Sequence, residues 1–239
     1  MRWNRPGLGV VPADVFVALA ENLGLITDLG TWVLATAAAQ CCTWQQDGQC
    51  PIRVSINASS YQFRRLDMIA VVSDALRQSG LNPDRLVLEI TESQVMLDME
   101  QNLQSLKQLR RMGIHIALDD FGTGYSSLSY LQQLPIDMLK IDQSFVAGML
   151  KSDDSHKIVT TIIALARNLG MKTVAEGVEE PGQAERLRAL GCDTAQGYFF
   201  ARPMTAKEAE QFVENGLCCT LPKGGVEQRV DARSVERAS

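Results

Sequence analysis

A barrel of parallel β-strands separated by α-helices is the fold class this sequence predicts, and three observations predict it. Amphipathic helical segments alternate with short apolar strands, the order that builds a parallel sheet with right-handed crossovers. Each strand runs into a residue of functional type at its C-terminal end, as in a (β/α) barrel whose active site gathers from many strand ends on one face. The length, 239 residues, is long for an ordinary domain but ordinary for a barrel. A doubly wound sheet would instead concentrate its polar strand ends near one switch point.

Taken in order, apolar residues recur at helical spacing from Ala13 to Leu23 and from Thr31 to Trp44, with Gly24 and Gly48 as stops. The first strand runs from Ile52 to Ile56 and ends at Asn57. The second, Arg85 to Ile90, carries Glu89 near its end, with Glu92 just beyond. Ile114 to Leu118 ends at Asp119 and Asp120, and Met138 to Ile141 brings Lys140 with Asp142. Thr173 to Ala175 ends at Glu176, and Thr194 leads to Gln196. Four intervening helices stop at Gly80, Gly113, Gly170 and Gly191, each followed shortly by the next strand. Pro181 sits where the first turn of a helix accepts it. Six strands leave an eight-stranded barrel two short, so the barrel is expected to be incomplete at its N-terminal strands, with the absent ones upstream of the abrupt Met1-Arg2-Trp3 start. Residues 217–239 are polar, carry Pro222, Gly224 and Gly225, and are expected to be a disordered tail behind a domain of residues 1–216.

With 46% hydrophobic residues the chain can build a sizeable core, and its 28 acids against 23 bases give a net charge of −5. That balance argues against binding long nucleic acid without excluding a small phosphorylated ligand held by metal ions. Cysteines 41, 42, 50, 192, 218 and 219 show no zinc spacing and read as reduced thiols of a cytosolic protein. No apolar run approaches the roughly 20 residues that cross a bilayer, and no signal peptide opens the chain. The expected location is the cytoplasm, as a free protein or as the cytoplasmic part of a larger membrane-attached one.

The stretch HIALDDFGTGYSSL, His115 to Leu128, organises the rest. Neighbouring strand residues point to opposite faces, so Asp119 and Asp120 cannot both bury inward, and side by side they repel unless a cation lies between them. Asp-Asp-Phe-Gly is also ordinary turn chemistry. What outweighs that reading is the joint placement of Asn57, Glu89, Asp119, Asp120 and Glu176 at consecutive strand ends. All are oxygen ligands, the set that suits Mg²⁺ or Mn²⁺ rather than zinc. Lys140 and Asp142, two apart, are expected to point together into the barrel mouth, where a lysine beside carboxylates stays charged and holds a water or a phosphate oxygen. Divalent ions lower the pKa of water and screen a phosphodiester's charge, so phosphodiester hydrolysis is the natural reaction. His115 and His156 read as surface residues.

DDFGTGYSSL at 119–128, with NASSYQF at 57–63, LEITES at 88–93, LKID at 139–142, AEGVE at 175–179 and QGYFFARP at 196–203, resembles the EAL domain family of cyclic di-GMP phosphodiesterases. The likeness runs from about Arg2 to Gly216. It implies a TIM-like (β/α) barrel of the EAL type that hydrolyses cyclic di-GMP to linear pGpG with two Mg²⁺ or Mn²⁺ ions, in bacterial second-messenger signalling. By resemblance, Asn57, Glu89 and Asp119 are ligands of the first metal, and Asp119, Asp120 and Glu176 of the second. Lys140, with Asp142 beside it, holds the attacking water, which Glu176 helps to deprotonate. Glu92 steadies the 121–128 loop, and Arg2 and Gln196 contact substrate. Arg2 matches the arginine of the family's E-A-L-x-R signature, whose glutamate, a first-metal ligand, is expected just before Met1. The resemblance also implies a homodimer and upstream sensory or GGDEF domains in a full-length protein. Two rivals remain beside the hydrolase: a catalytically impaired receptor that binds cyclic di-GMP, and a barrel aldolase using Lys140 as a Schiff base, which needs a lowered lysine pKa.

Overall fold

The computed structural model describes residues 1–7, 9–45, 52–59, 62, 67–96, 98–122 and 128–214. The Gly48 stop, the body of the 121–128 loop, Cys50, Cys218, Cys219 and the tail at 217–239 lie outside the described residues.

The chain opens on a short antiparallel hairpin that the sequence reading did not anticipate. Strand β1 (Trp3–Arg5) pairs with β2 (Gly9–Val11), and Trp3 sets its ring edge-on to Phe16, with centroids 6.3 Å apart. Helix α1 (Ala13–Asn22) ends within a residue of expectation. There Gly24 turns left-handed at φ 71°, and the Leu25 N–H donates back to the Ala20 carbonyl. Helix α2 (Ile26–Gln45) starts five residues before the expected Thr31, because this turn lets it begin at once.

Next comes strand β3 (Val54–Asn57), then helix α3 (Met68–Ser79). Asp67 caps α3 by accepting from the Ile69 and Ala70 N–H groups at 3.1 Å each. Strand β4 (Leu86–Thr91) leads through the one-turn α4 (Glu92–Met96) and α5 (Met99–Arg111) to β5 (His115–Phe121). Helix α6 (Leu128–Leu131), β6 (Met138–Ile141), α7 (Gln143–Gly148) and α8 (Asp153–Asn168) follow. Strand β7 (Lys172–Ala175), α9 (Pro181–Leu190), β8 (Thr194–Ala195) and α10 (Ala206–Glu214) complete the described chain. The strands expected from the apolar runs are all present, with ends shifted by at most three residues, and Pro181 occupies the first helical position as expected.

Strands β3 to β8 form one sheet in sequence order, parallel throughout. With its helices this sheet is an incomplete TIM-like barrel. Among the described residues neither β3 nor β8 has a strand on its outer side. Leu86 to Ile90 are buried at every position, as a strand covered on both faces requires. The core is built from Leu86, Leu88 and Ile90 of β4, Ile116 and Leu118 of β5, and Leu139 and Ile141 of β6, with helix residues such as Leu106, Leu109, Val159 and Leu187 packed on them. No described helix is long and apolar enough to cross a membrane.

Candidate active site at the strand ends

A parallel sheet delivers its C-terminal strand ends to one rim, and the expected polar residues meet there. Lys140 of β6, only 4% exposed, is the hub. Its Nζ lies 2.6 Å from Glu89 Oε2 on β4, 2.9 Å from Asp119 Oδ1 on β5 and 2.7 Å from Glu176 Oε1 just past β7. A lone lysine in a barrel is as readily a snorkelling surface group; this one is enclosed. Burial acts to lower its pKa, yet Glu89 and Glu176 outweigh that and hold the ammonium above its ordinary value. A Schiff-base lysine needs the opposite shift, so the aldolase alternative is removed.

Asp119 and Asp120 reach the rim together because β5 is bulged. Leu118 faces Leu139 and Phe121 faces Ile141, so three steps on β5 span two on β6. The extra residue lets Asp120 take a left-handed backbone at φ 55°, and its N–H donates to Asp119 Oδ1 at 3.0 Å. As alternation predicts, Asp119 is buried and Asp120 exposed. Nonetheless one oxygen from each of Asp119, Asp120 and Glu176 lies within 4.8 Å of the others, close enough to share a metal ion.

Charge at this rim is unbalanced. Four carboxylates, Glu89, Asp119, Asp120 and Glu176, face one ammonium. Burial pushes the Glu176 carboxyl up, helped by Asp119 and Glu89 and opposed by Lys140. Partial burial does the same to Asp120, with Asp119 and Asp142 adding repulsion and Lys140 opposing. An all-oxygen donor set carrying excess negative charge fits a hard divalent cation. Asn57 ends β3 opposite Glu89 in register, which brings its amide oxygen to the same side of the sheet.

The other expected residues divide. Gln196, just past β8, donates from Nε2 to Glu176 Oε1 at 2.6 Å and so joins the cluster. Asp142 stays near Asp120 but not as a strand residue. Strand β6 stops at Ile141, and Asp142 instead caps α7, accepting from the Ser144 N–H at 2.9 Å and from the Ser144 hydroxyl. Glu92 opens α4 with Oε2 buried and without a hydrogen-bond partner. Arg2 is not part of the cluster: its Nη2 donates to the Pro203 carbonyl at 2.9 Å, on the segment after β8. The two histidines are less superficial than expected. His115 is half-buried, 3.7 Å from Asp137, and His156 is half-buried with a buried, unpartnered Nδ1.

One residue that matters to this rim escaped the sequence reading. Gln183, 3% exposed in the first turn of α9, accepts from the Glu179 N–H at 2.8 Å and the Glu180 N–H at 3.0 Å, and donates to the Val146 carbonyl on α7 at 3.3 Å. It ties the loop that carries Glu176 to the helix that Asp142 caps. Its signal was the capping-box spacing of Glu180 and Gln183 around Pro181.

Comparison with known proteins adds four findings. The family model of the EAL domain matches residues 1–203. The bifunctional diguanylate cyclase/cyclic di-GMP phosphodiesterase MucR of Pseudomonas aeruginosa is 43% identical over 208 residues, 87% of this chain and 30% of MucR. The cyclic di-GMP phosphodiesterase NbdA of the same organism is 40% identical over 213 residues, 89% of this chain and 27% of NbdA. A solved structure of the PaMucR phosphodiesterase in complex with c-di-GMP superposes with a TM-score of 0.84 at 43% identity, covering 87% of this chain and 84% of that one. This chain therefore spans less than a third of the length of these curated relatives.

Proposed function

The chain belongs to the EAL domain family, and on that premise we propose that it is a cyclic di-GMP phosphodiesterase of bacterial second-messenger signalling, opening the cyclic dinucleotide to linear pGpG. The observation that carries this reading is the buried Lys140 ammonium held among Glu89, Asp119 and Glu176, with the Asp120 carboxylate beside them. A structural ion pair needs one acid per base; four acids around one base are a site prepared for more cations.

Asn57, Glu89 and Asp119 would hold one Mg²⁺ or Mn²⁺, and Asp119, Asp120 and Glu176 a second. Such a pair of ions makes water nucleophilic at neutral pH and neutralises the phosphate charge. Glu176, beside Lys140 at the rim, would take the proton of the attacking water. Lys140, always charged here, orients that water by donating a hydrogen bond to its oxygen. Asp142 supports Asp120 from the start of α7, and Glu92 steadies the loop that follows β5. Gln196 and Arg2 hold substrate. Water adds to phosphorus, the phosphorus bond to the 3′ oxygen breaks, and that oxygen leaves with a proton, so a linear dinucleotide with a 5′ phosphate results.

The protein would act in the cytoplasm as a homodimer, with sensory or GGDEF domains as its partners in a longer polypeptide. The test is chromatography of cyclic di-GMP incubated with the chain in Mg²⁺ or Mn²⁺. Appearance of pGpG that is abolished by Asp119→Asn is the expected result. Dinucleotide bound but left intact would replace the hydrolase with the receptor reading, and turnover retained by Asp119→Asn would sink the two-metal assignment.

A further inference from the structure

The sheet has a second end, opposite the acidic rim, and the segments that lead into β5 and β6 there reverse the rim's charge. Residues 101–113, most of α5 and the turn after it, carry Lys107, Arg110 and Arg111 and no acid. Residues 121–136, ahead of β6, carry no charged residue at all. Both runs belong to a chain with 28 acids against 23 bases.

Basic residues in the last turn of a helix are ordinary, because they offset its unpaired carbonyls, and by themselves Arg110 and Arg111 mean no more than that. Here they also line a space. The end of α5 and the loop from α6 to β6 bound a cavity of about 410 Å³, with Lys107, Arg110 and Arg111 from the helix and Gln132, Leu134 and Pro135 from the loop in its walls. Arg110 is held in place. Its Nη2 donates to Asp137 Oδ1 at 2.9 Å, and Asp137 is itself tied to β5: the Ile116 N–H donates to its Oδ2 at 3.0 Å, and its own N–H donates to the Ile116 carbonyl at 2.9 Å. That anchor uses one of five guanidinium N–H donors. Asp137, the acid beside this wall, is thus taken by Arg110 and Ile116, with His115 at 3.7 Å as well. Lys107 and Arg111, four apart on one helix face and exposed, make no ion pair among the described residues.

We propose that this cavity is a binding site for a small phosphate-bearing anion, pyrophosphate or a nucleotide, remote from the catalytic rim. Three cations and no acid in its walls ask for more than one negative charge, and the several oxygens of a phosphate can meet guanidinium forks and an ammonium together. The volume lies in the lower part of the range of small-ligand sites, about 300–1,000 Å³, and Leu134 and Pro135 offer an apolar surface to whatever carries the phosphate. From His115 to Asp119 β5 runs about 13 Å, so an anion here touches none of the rim carboxylates. The site does not depend on the hydrolase reading.

The test is calorimetric titration of the whole chain, dialysed free of divalent ions, with pyrophosphate and with GTP at low salt. One-site binding that weakens with added salt is expected. Lys107→Ala and Arg111→Ala, each removing an exposed side chain, should keep the wild-type Tm and weaken binding at least about 10-fold, the loss of one charged hydrogen bond. Lys157→Ala, removing an exposed cation near the start of α8, should leave the affinity unchanged. GTP binding tighter than pyrophosphate would uphold the site as one for nucleotides; equal affinities would uphold it for the phosphates alone. No saturable binding of either probe, or affinities that Lys107→Ala and Arg111→Ala leave untouched, would overturn the proposal. So would capture of a tetraglutamate peptide in place of either phosphate, which would make the cavity a docking point for an acidic protein segment.

Discussion

Replacing Lys140 by methionine tests the electrostatics of the site most directly. Methionine has nearly the length of lysine and no charge, so the packing survives and the ammonium does not. Its removal leaves Glu89, Asp119 and Glu176, with side chains 9%, 12% and 18% exposed, around an apolar tip. Breaking a buried ion pair by deleting one partner costs about 3–5 kcal/mol. In a domain of this size that lowers Tm by roughly 6–20 °C. In wild type the folded lysine pKa is raised, so its contribution is complete below the unfolded value of about 10.4 and is lost only as pH climbs through the folded one. The variant should behave in the opposite sense at the acid end. Its Glu176 carboxyl, which burial already raises, titrates above its unfolded value of about 4.3, so stability falls as pH rises through that gap and recovers on acidification. The assay is thermal unfolding in chelator at pH 4 to 8, repeated with excess Mn²⁺. A divalent ion at 100 times its Kd would return about 2.7 kcal/mol by supplying the missing positive charge. A Lys140→Met protein that melts within 2 °C of wild type in chelator at neutral pH (about 1 kcal/mol or less) would refute the claim that this lysine balances the cluster.

Three further substitutions probe turns and caps of the fold. Gly197→Ala drives a Cβ to 2.2 Å from the Val178 backbone, which cannot yield as a side chain would, and should cost about 3 kcal/mol in a melt. Gly80→Ala, with open space but φ 71°, should cost only about 1 kcal/mol; equal losses would mean that backbone conformation alone matters at Gly197. Gln183→Leu removes the acceptor of two part-buried N–H groups, at about 0.5–1.5 kcal/mol each, and loosens the Glu176 loop. Its kcat on cyclic di-GMP should fall with little change in KM, whereas a loss confined to KM would argue that the loop serves binding alone.

Much of the architecture was legible in one dimension because both barrel signals are local. An apolar run of four to six residues ending in Asn, Glu, Asp or Lys announces a strand that is buried along its length and wet at its tip. A glycine before the next such run announces where the helix stops. Hence β4, β5, β6 and β7 stand where their residues put them, and Gly80, Gly113, Gly170 and Gly191 all adopt positive φ. The β1–β2 hairpin was invisible to that logic: three-residue strands are too short to show alternation, and their burial pattern is mostly exposed.

Residue types and their spacing along the chain decided that this would be a parallel α/β barrel with an acidic rim, since periodicity and strand-end chemistry are properties of neighbours in sequence. Distance between strands is not such a property. That Lys140 would be enclosed rather than snorkelling was settled by the side-by-side pairing of β4 to β7, which sets Glu89, Asp119 and Glu176 around it from 51, 21 and 36 residues away. Likewise the bulge in β5 exists only against β6, for an extra residue has meaning only relative to the strand it is paired with. It is this pairing that brings oxygens of two adjacent aspartates, which a regular strand would point apart, within 4.8 Å of each other.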